Sequence, residues 1–145
     1  MAQGAASVIR EATAQDMPLI VELGREMHAR SVWRDYAAFD GTDFDNSAQR
    51  LIDDPDGAVF LSRRGMLWLS IVSLYFNSGV RIAAEMFFYA PDGRGDALRR
   101  AGERWARQSA QLIAMNAHGN TDPRARLLYE RAGYAALEHS FLRAL

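Results

Sequence analysis

The stretch that most limits what this chain can fold into is Glu85–Ala106, EMFFYAPDGRGDALRRAGERWA. An apolar run that suits a strand enters a turn built on Pro91, Gly93 and Gly95, and an amphipathic helix follows. A helix start offers backbone N–H groups without intrahelical acceptors and the positive end of the helix dipole. Glycines let that backbone approach a ligand closely. A strand, a glycine turn and a helix start together can therefore hold a phosphate. The same pattern also serves turn geometry alone, so the rest of the chain has to distinguish the two.

The remaining segments suit one mixed domain. The chain has 145 residues, of which 49% are hydrophobic, enough for one sizeable core. Ser7–Glu11 predicts a short strand. Thr13 with Asp16 three positions on has the spacing of a capping box, and Leu19, Ile20, Leu23 and Met27 then recur at helical intervals. Residues 31–42 read as a loop. Asp45–Asp53 predicts a second helix with Ala48, Leu51 and Ile52 facing inward, stopped by Asp54-Pro55-Asp56-Gly57.

Three runs, Ala58–Arg63, Met66–Phe76 and Val80–Ala90, are joined by Arg64-Gly65 and Asn77-Ser78-Gly79, which predicts an antiparallel meander. The helix after Gly95 is expected to reach about Ser109, with Leu98, Ala101, Trp105 and Ala106 inward. Gln111–Asn116 predicts a buried strand. Asp122 caps a helix with Pro123 first and Gly133 at its end. Tyr134–Leu145 is expected to add one or two closing strands. The expected fold is α/β (α+β): a mixed, mostly antiparallel sheet with about four helices, in the order β-α-α-β-β-β-α-β-α-β(-β) over residues 1–145.

Charge and composition exclude some functions. The net charge of −1 argues against a nucleic-acid binder, and the chain's 17 basic side chains are all Arg. With no Cys, disulfides, thiolate metal sites and a Cys nucleophile are excluded. His28, His118 and His139 lack metal-ligand spacing, so no metal is expected. No apolar stretch approaches a membrane span, and no signal peptide is visible, so a cytoplasmic protein is expected.

The element order, with YAPDGRGDALRRAGERWA in its middle and RARLLYERAGY near its end, resembles the GNAT family of N-acetyltransferases over nearly the whole chain. The resemblance implies a small bacterial or phage-type member that uses acetyl-CoA as cosubstrate. It implies that the strand Ala83–Ala90, including Phe88, Tyr89 and Ala90, lies along the pantetheine arm. Gly93, Arg94, Gly95, Asp96 and Ala97 would wrap the pyrophosphate, with Arg94, Arg99 or Arg100 adding charge. Backbone N–H groups near Tyr89 and Ala90 would polarise the thioester carbonyl. Asn120 stands near the position of a family Asn, which is itself occupied by Asp122.

The family loop runs Arg or Gln, two residues, Gly, one residue, then Gly or Ala. Aligned on Trp105, Ala90 stands first and Gly93 and Gly95 match the glycines. Aligned on Pro91 and Arg94-Gly95, a deletion follows the loop. In both alignments the loop is shortened, and Asp96 adds negative charge beside it.

Two catalytic candidates follow. Tyr129 matches a family Tyr that protonates the departing thiolate; the alternative is a packing role beside Leu128 and Ala125. Glu85 matches a family carboxylate that deprotonates the amine, and burial in AAEMFFY would raise its pKa into a useful range. The alternative is an ion pair with Arg81 or another Arg. His28 lines an acceptor pocket or is a partly exposed surface His, and Trp33, Tyr36 and Phe39 shape that pocket or cap the core.

The acceptor is expected to be a small-molecule or peptide amine, and a homodimer through Met66–Phe76 is a further expectation. Two other readings stay open: a GNAT-fold protein that has lost catalysis and binds a ligand or a protein, and an unrelated α/β interaction protein.

Overall fold

A computed structural model of the chain describes residues 8–117 and 123–145. Its centre is a five-stranded sheet in the order β1-β2-β3-β4-β5. The strands are β1 (Arg10–Glu11), β2 (Gly57–Leu61), β3 (Met66–Leu74), β4 (Asn77–Tyr89) and β5 (Leu112–Ala114). The first four pair antiparallel, and β5 joins β4 in parallel. The expected meander, a further strand within 111–116 and the four expected helices, α1 (Met17–Arg30), α2 (Gly41–Asp53), α3 (Gly95–Ala106) and α4 (Pro123–Arg131), are present.

Alternation along the strands builds two cores. Val59, Leu61, Met66 and Trp68 face Ile20, Leu23 and Ala48 of α1 and α2. Ala58, Phe60, Leu67 and Leu69 face Leu98 and Ala101 of α3. Side chains on a strand point alternately to either face, so a strand buried on both sides needs apolar residues throughout. MLWL and AVFL meet that requirement. Helix α3 lies close to the sheet because Gly102 stands against Leu67 and Leu69, where an added Cβ would come within 2.8 Å of both side chains.

Four expectations need correction. Helix α2 begins at Gly41, inside the expected loop, because the carboxylate of Asp40 accepts the N–H groups of Thr42 and Asp43 at 2.9 and 3.0 Å and caps it. A 3₁₀ turn over Val32–Asp35 takes up another part of that loop.

The β3–β4 turn falls at Tyr75-Phe76, so the two rings stand in solvent. Asn77-Ser78-Gly79 instead enters β4 with its own side-chain turn, Gly79 N–H to Asn77 Oδ1 at 3.1 Å. The register shift between Ser73 and Leu74 absorbs the extra residues. Helix α3 ends at Ala106, three residues short of Ser109.

The segment 134–145 forms no strand. Its large apolar side chains, Leu137, Phe141, Leu142 and Leu145, are exposed. Leu137, Phe141 and Leu145 fall on one strand face by spacing, but His139 and Arg143 share that face and Leu142 falls on the other, so neither face is apolar throughout.

Candidate active site

The site is where β4 and β5 part. Their pairing runs Ile82↔Leu112, Ala83↔Ile113 and Ala84↔Ala114, then stops. Glu85–Tyr89 stay paired to β3, with Leu69↔Glu85 followed by Trp68↔Phe87. Met86 is therefore the extra residue of a β-bulge. Bulges bend a strand and increase its twist, and this one lies where the two strands separate. From Glu85 onward, one edge of β4 has no strand beside it among the described residues.

Glu85 stands at that parting and is 7% exposed. Burial pushes its carboxyl up to about 7 from 4.5, and the hydrogen bond from the Asn116 N–H offsets only part of that. That N–H meets Oε2 at 2.6 Å. The expected ion-pair alternative is absent: Arg81 bonds Asp56 instead, at 2.6 Å.

Tyr129 on α4 is buried and donates its hydroxyl to the Asn116 carbonyl at 3.1 Å; its ring lies 5.5 Å from that of Tyr134. The two candidate catalytic residues thus meet on opposite sides of one residue. Sequence reasoning passed over Asn116, because an Asn at the end of a strand carries no signal that sets it apart.

The glycine turn is more occupied than expected. Gly93, with φ +77°, needs the left-handed region that glycine favours. Its N–H bonds Ala90 O at 3.2 Å, and the Arg94 N–H bonds Asp92 Oδ1 at 3.0 Å. The other oxygen of Asp92 accepts Ser62 Oγ at 2.6 Å and the Arg64 N–H at 2.9 Å, which locks the turn to the β2–β3 loop. Burial pulls the Asp92 carboxyl up, but these hydrogen bonds outweigh it and hold it below its ordinary value. The expectation that all five residues from Gly93 to Ala97 offer free amides is therefore corrected: the amides of Gly93 and Arg94 are bonded within the turn.

Gly95, Asp96 and Ala97 open α3. As the first three helical residues they lack intrahelical acceptors, and no side chain caps them. A Cβ on Gly95 would come within 3.3 Å of the Phe88 ring.

The charges expected around a phosphate are also engaged. Asp96 binds Arg99 at 2.7 Å and Arg100 at 2.5 Å. Arg99, itself buried, also bonds Glu103, which accepts the Tyr134 hydroxyl at 2.8 Å. The hydrogen bond from Arg99 holds the Asp96 carboxyl below its ordinary range. Phe88 and Ala90 pack on the α3 side of the sheet. Tyr89 packs on the other side, where its hydroxyl reaches Glu26 at 3.3 Å. Asn120 lies outside the described residues.

A cavity of about 390 Å³ opens between α1 and α2, lined by His28, Trp33, Phe39, Asp40, Asp43 and Phe44 among others. Tyr36 is not in its wall. His28 is partly buried, with Nε2 bonded to Ala37 O at 2.7 Å. The Phe44 ring in its wall packs against Phe39, Trp68 and Phe87 at 5.2, 4.6 and 5.2 Å between centroids, so Phe44 stands between the cavity and β4. Among the described residues, no cluster of His, Asp or Glu could hold a metal ion, and no helix is long and apolar enough to cross a membrane.

No protein-family model matches the sequence, and no curated protein matches it. Solved structures do match. The ribosomal-protein-alanine N-acetyltransferase of Brucella melitensis biovar Abortus 2308 is 18% identical, with a TM-score of 0.68 over 97% of this chain and 99% of that one. The aminoglycoside acetyltransferase meta-AAC0020, from an uncultured soil metagenomic sample and in complex with sisomicin, is 16% identical, with a TM-score of 0.68 over 97% of each chain. A transcriptional regulator from Bacillus halodurans C-125 is 17% identical, with a TM-score of 0.75 over 96% of this chain and 99% of that one. The chain therefore has the fold shared by these acetyltransferases, which is the GNAT fold that the sequence resemblance implied.

Proposed function

We propose that the protein is an acetyl-CoA-dependent N-acetyltransferase that moves an acetyl group to a primary amine by direct attack. The observation that carries this reading is Glu85, a buried carboxyl at the parting of β4 and β5 that titrates near neutrality. A base works best when its pKa lies near the working pH. Oε1 of Glu85 has no hydrogen-bond partner among the described residues and is the atom that takes the proton from the incoming ammonium, directly or through one water.

The cosubstrate would make fewer contacts at the glycine turn than the sequence resemblance implied. The pantetheine arm would lie along the unpaired edge of β4 at Phe88, Tyr89 and Ala90. The three amides of Gly95, Asp96 and Ala97 would meet the diphosphate, with Gly93 and Arg94 shaping the turn. Backbone N–H groups near Tyr89 and Ala90 would polarise the thioester carbonyl, and Tyr129 would protonate the departing thiolate. Holding amine and thioester together supplies most of the acceleration.

The acceptor would be a small-molecule or peptide amine entering from the α1–α2 cavity. Its aromatic wall, with Asp40 and Asp43, suits a cation. The solved neighbours acting on an aminoglycoside and on a ribosomal protein are in keeping with either kind of acceptor.

One observation favours a second reading, a GNAT-fold binding module without turnover. The bonded amides of Gly93 and Arg94, and the pairing of Arg99 and Arg100 with Asp96, leave the diphosphate a small cradle. A screen of amine acceptors with acetyl-CoA, reading thiol release, separates the two. Turnover that is lost in Glu85→Gln supports the transferase. A thermal shift with acetyl-CoA but no turnover on any amine class supports the module.

A further inference from the structure

Past the last ladder pair, β4 and β5 trade side chains for main chain. The Asn116 N–H donates to the Glu85 carboxylate at 2.6 Å, and Asn116 Nδ2 donates to the Glu85 main-chain carbonyl at 3.2 Å. In a continuous sheet these main-chain groups would bond one another. Here side chains bridge the two main chains, so the strands stand apart while the main-chain N–H of Asn116 and the carbonyl of Glu85 both stay satisfied. The Asn116 carbonyl takes the Tyr129 hydroxyl at 3.1 Å. One residue thus carries a carboxylate on its N–H and a phenol on its C=O.

We infer that Asn116 is a positioning residue: it opens the β4–β5 cleft and fixes the base Glu85 relative to the acid Tyr129. The inference rests on the acetyltransferase reading for the roles of those two groups. The geometry itself stands on three hydrogen bonds that converge on one residue, through its N–H, its C=O and its side-chain amide. Asn116 need not touch either substrate; it acts by holding the groups that do.

Two variants test it. Asn116→Asp keeps the shape but removes the Nδ2 donor and places a negative charge against Glu85. Asn116→Ala removes the side-chain tether and lets the N–H drift from Oε2. Each makes the charged form of Glu85 less favourable, so each should move its titration to higher pH, by about one unit for the Asp variant, the order expected of a nearby like charge. The readouts are a ¹³C titration of the Glu85 carboxyl in the ligand-free protein and the acid limb of kcat/KM.

Both readouts should move together. At pH 7 kcat should fall about fivefold, since moving the pKa from about 7 to about 8 lowers the ionised fraction from about one half to about one tenth, with KM for acetyl-CoA unchanged. A merely structural Asn116 would lower Tm and leave the titration in place. A folded Asn116→Asp protein whose Glu85 titrates as in the wild type overturns the inference. If Glu85→Gln turns over normally, the base role of Glu85 fails instead, and if no amine is acetylated the acetyltransferase reading fails; in either case the ¹³C titration still decides whether Asn116 holds the carboxyl.

Discussion

Replacing Glu85 by Gln should make the protein more stable at pH 8 and have little effect at pH 4.5. Folded Glu85 titrates near 7, whereas in the unfolded chain it returns to about 4.5. Between those values the folded state binds more protons than the unfolded state, so stability falls as pH rises through the window and levels off above 7. Each pH unit corresponds to about 1.4 kcal/mol. The ionised, buried carboxylate therefore costs the fold about 3 kcal/mol above neutrality. Gln has the same shape and can still accept the Asn116 N–H, and it carries no charge to desolvate. The stability difference between variant and wild type should grow from near zero at pH 4.5 to about 3 kcal/mol at pH 8, or roughly 9 °C in Tm for a chain of this size. Urea unfolding of both proteins at half-unit steps from pH 4.5 to 8.5 measures it. A difference that does not change with pH would refute the reasoning, because Glu85 would then titrate alike in folded and unfolded states. The same variant should abolish turnover, so stability and activity move in opposite directions.

Other outcomes follow from the same geometry. Tyr129→Phe should lower kcat by roughly 100-fold or more, the scale on which general acids act, with acetyl-CoA affinity nearly unchanged; equal turnover would remove the phenol from the mechanism. The same change removes the bond to Asn116 O and should cost about 1 kcal/mol in urea unfolding. Gly95→Glu puts a side chain against Phe88 and a negative charge among the α3 amides, and should abolish any thermal shift with acetyl-CoA; an undiminished shift would move the diphosphate elsewhere. Asp40→Ala removes the cap of α2 and should cost about 1 kcal/mol, read by thermal unfolding.

Much of the fold was legible because its signals are local. The strand runs MLWL and AVFL alternate between two cores, and Pro123 marks the start of α4 as placed. The burial of Glu85 followed from its apolar neighbours AAEMFFY, and burial alone raises a carboxyl's pKa. The start of α2 was also written in the chain, since Asp40 followed by Asp43 is a cap with an acidic first turn. It was overlooked because the surrounding residues lack an apolar period.

Other features depend on partners far along the chain. Nothing near Asp92 announces that Ser62 and Arg64 will hold it, so the use of the Arg94 amide could not be foreseen. Nothing near Asn116 announces that Glu85 and Tyr129 meet on it. The strand expected in 134–145 would carry polar residues on both faces, Glu138 and Ser140 on one and His139 and Arg143 on the other, and the segment forms none.

The account turns on acetyl-CoA lying between the unpaired edge of β4 and the start of α3. The most direct measurement is an amide-resolved NMR titration of ¹⁵N-labelled protein with acetyl-CoA. Saturable shifts concentrated at Glu85–Tyr89 and at Gly95, Asp96 and Ala97 are the predicted result. Saturation with those amides unmoved, or no change at millimolar cosubstrate, would contradict it.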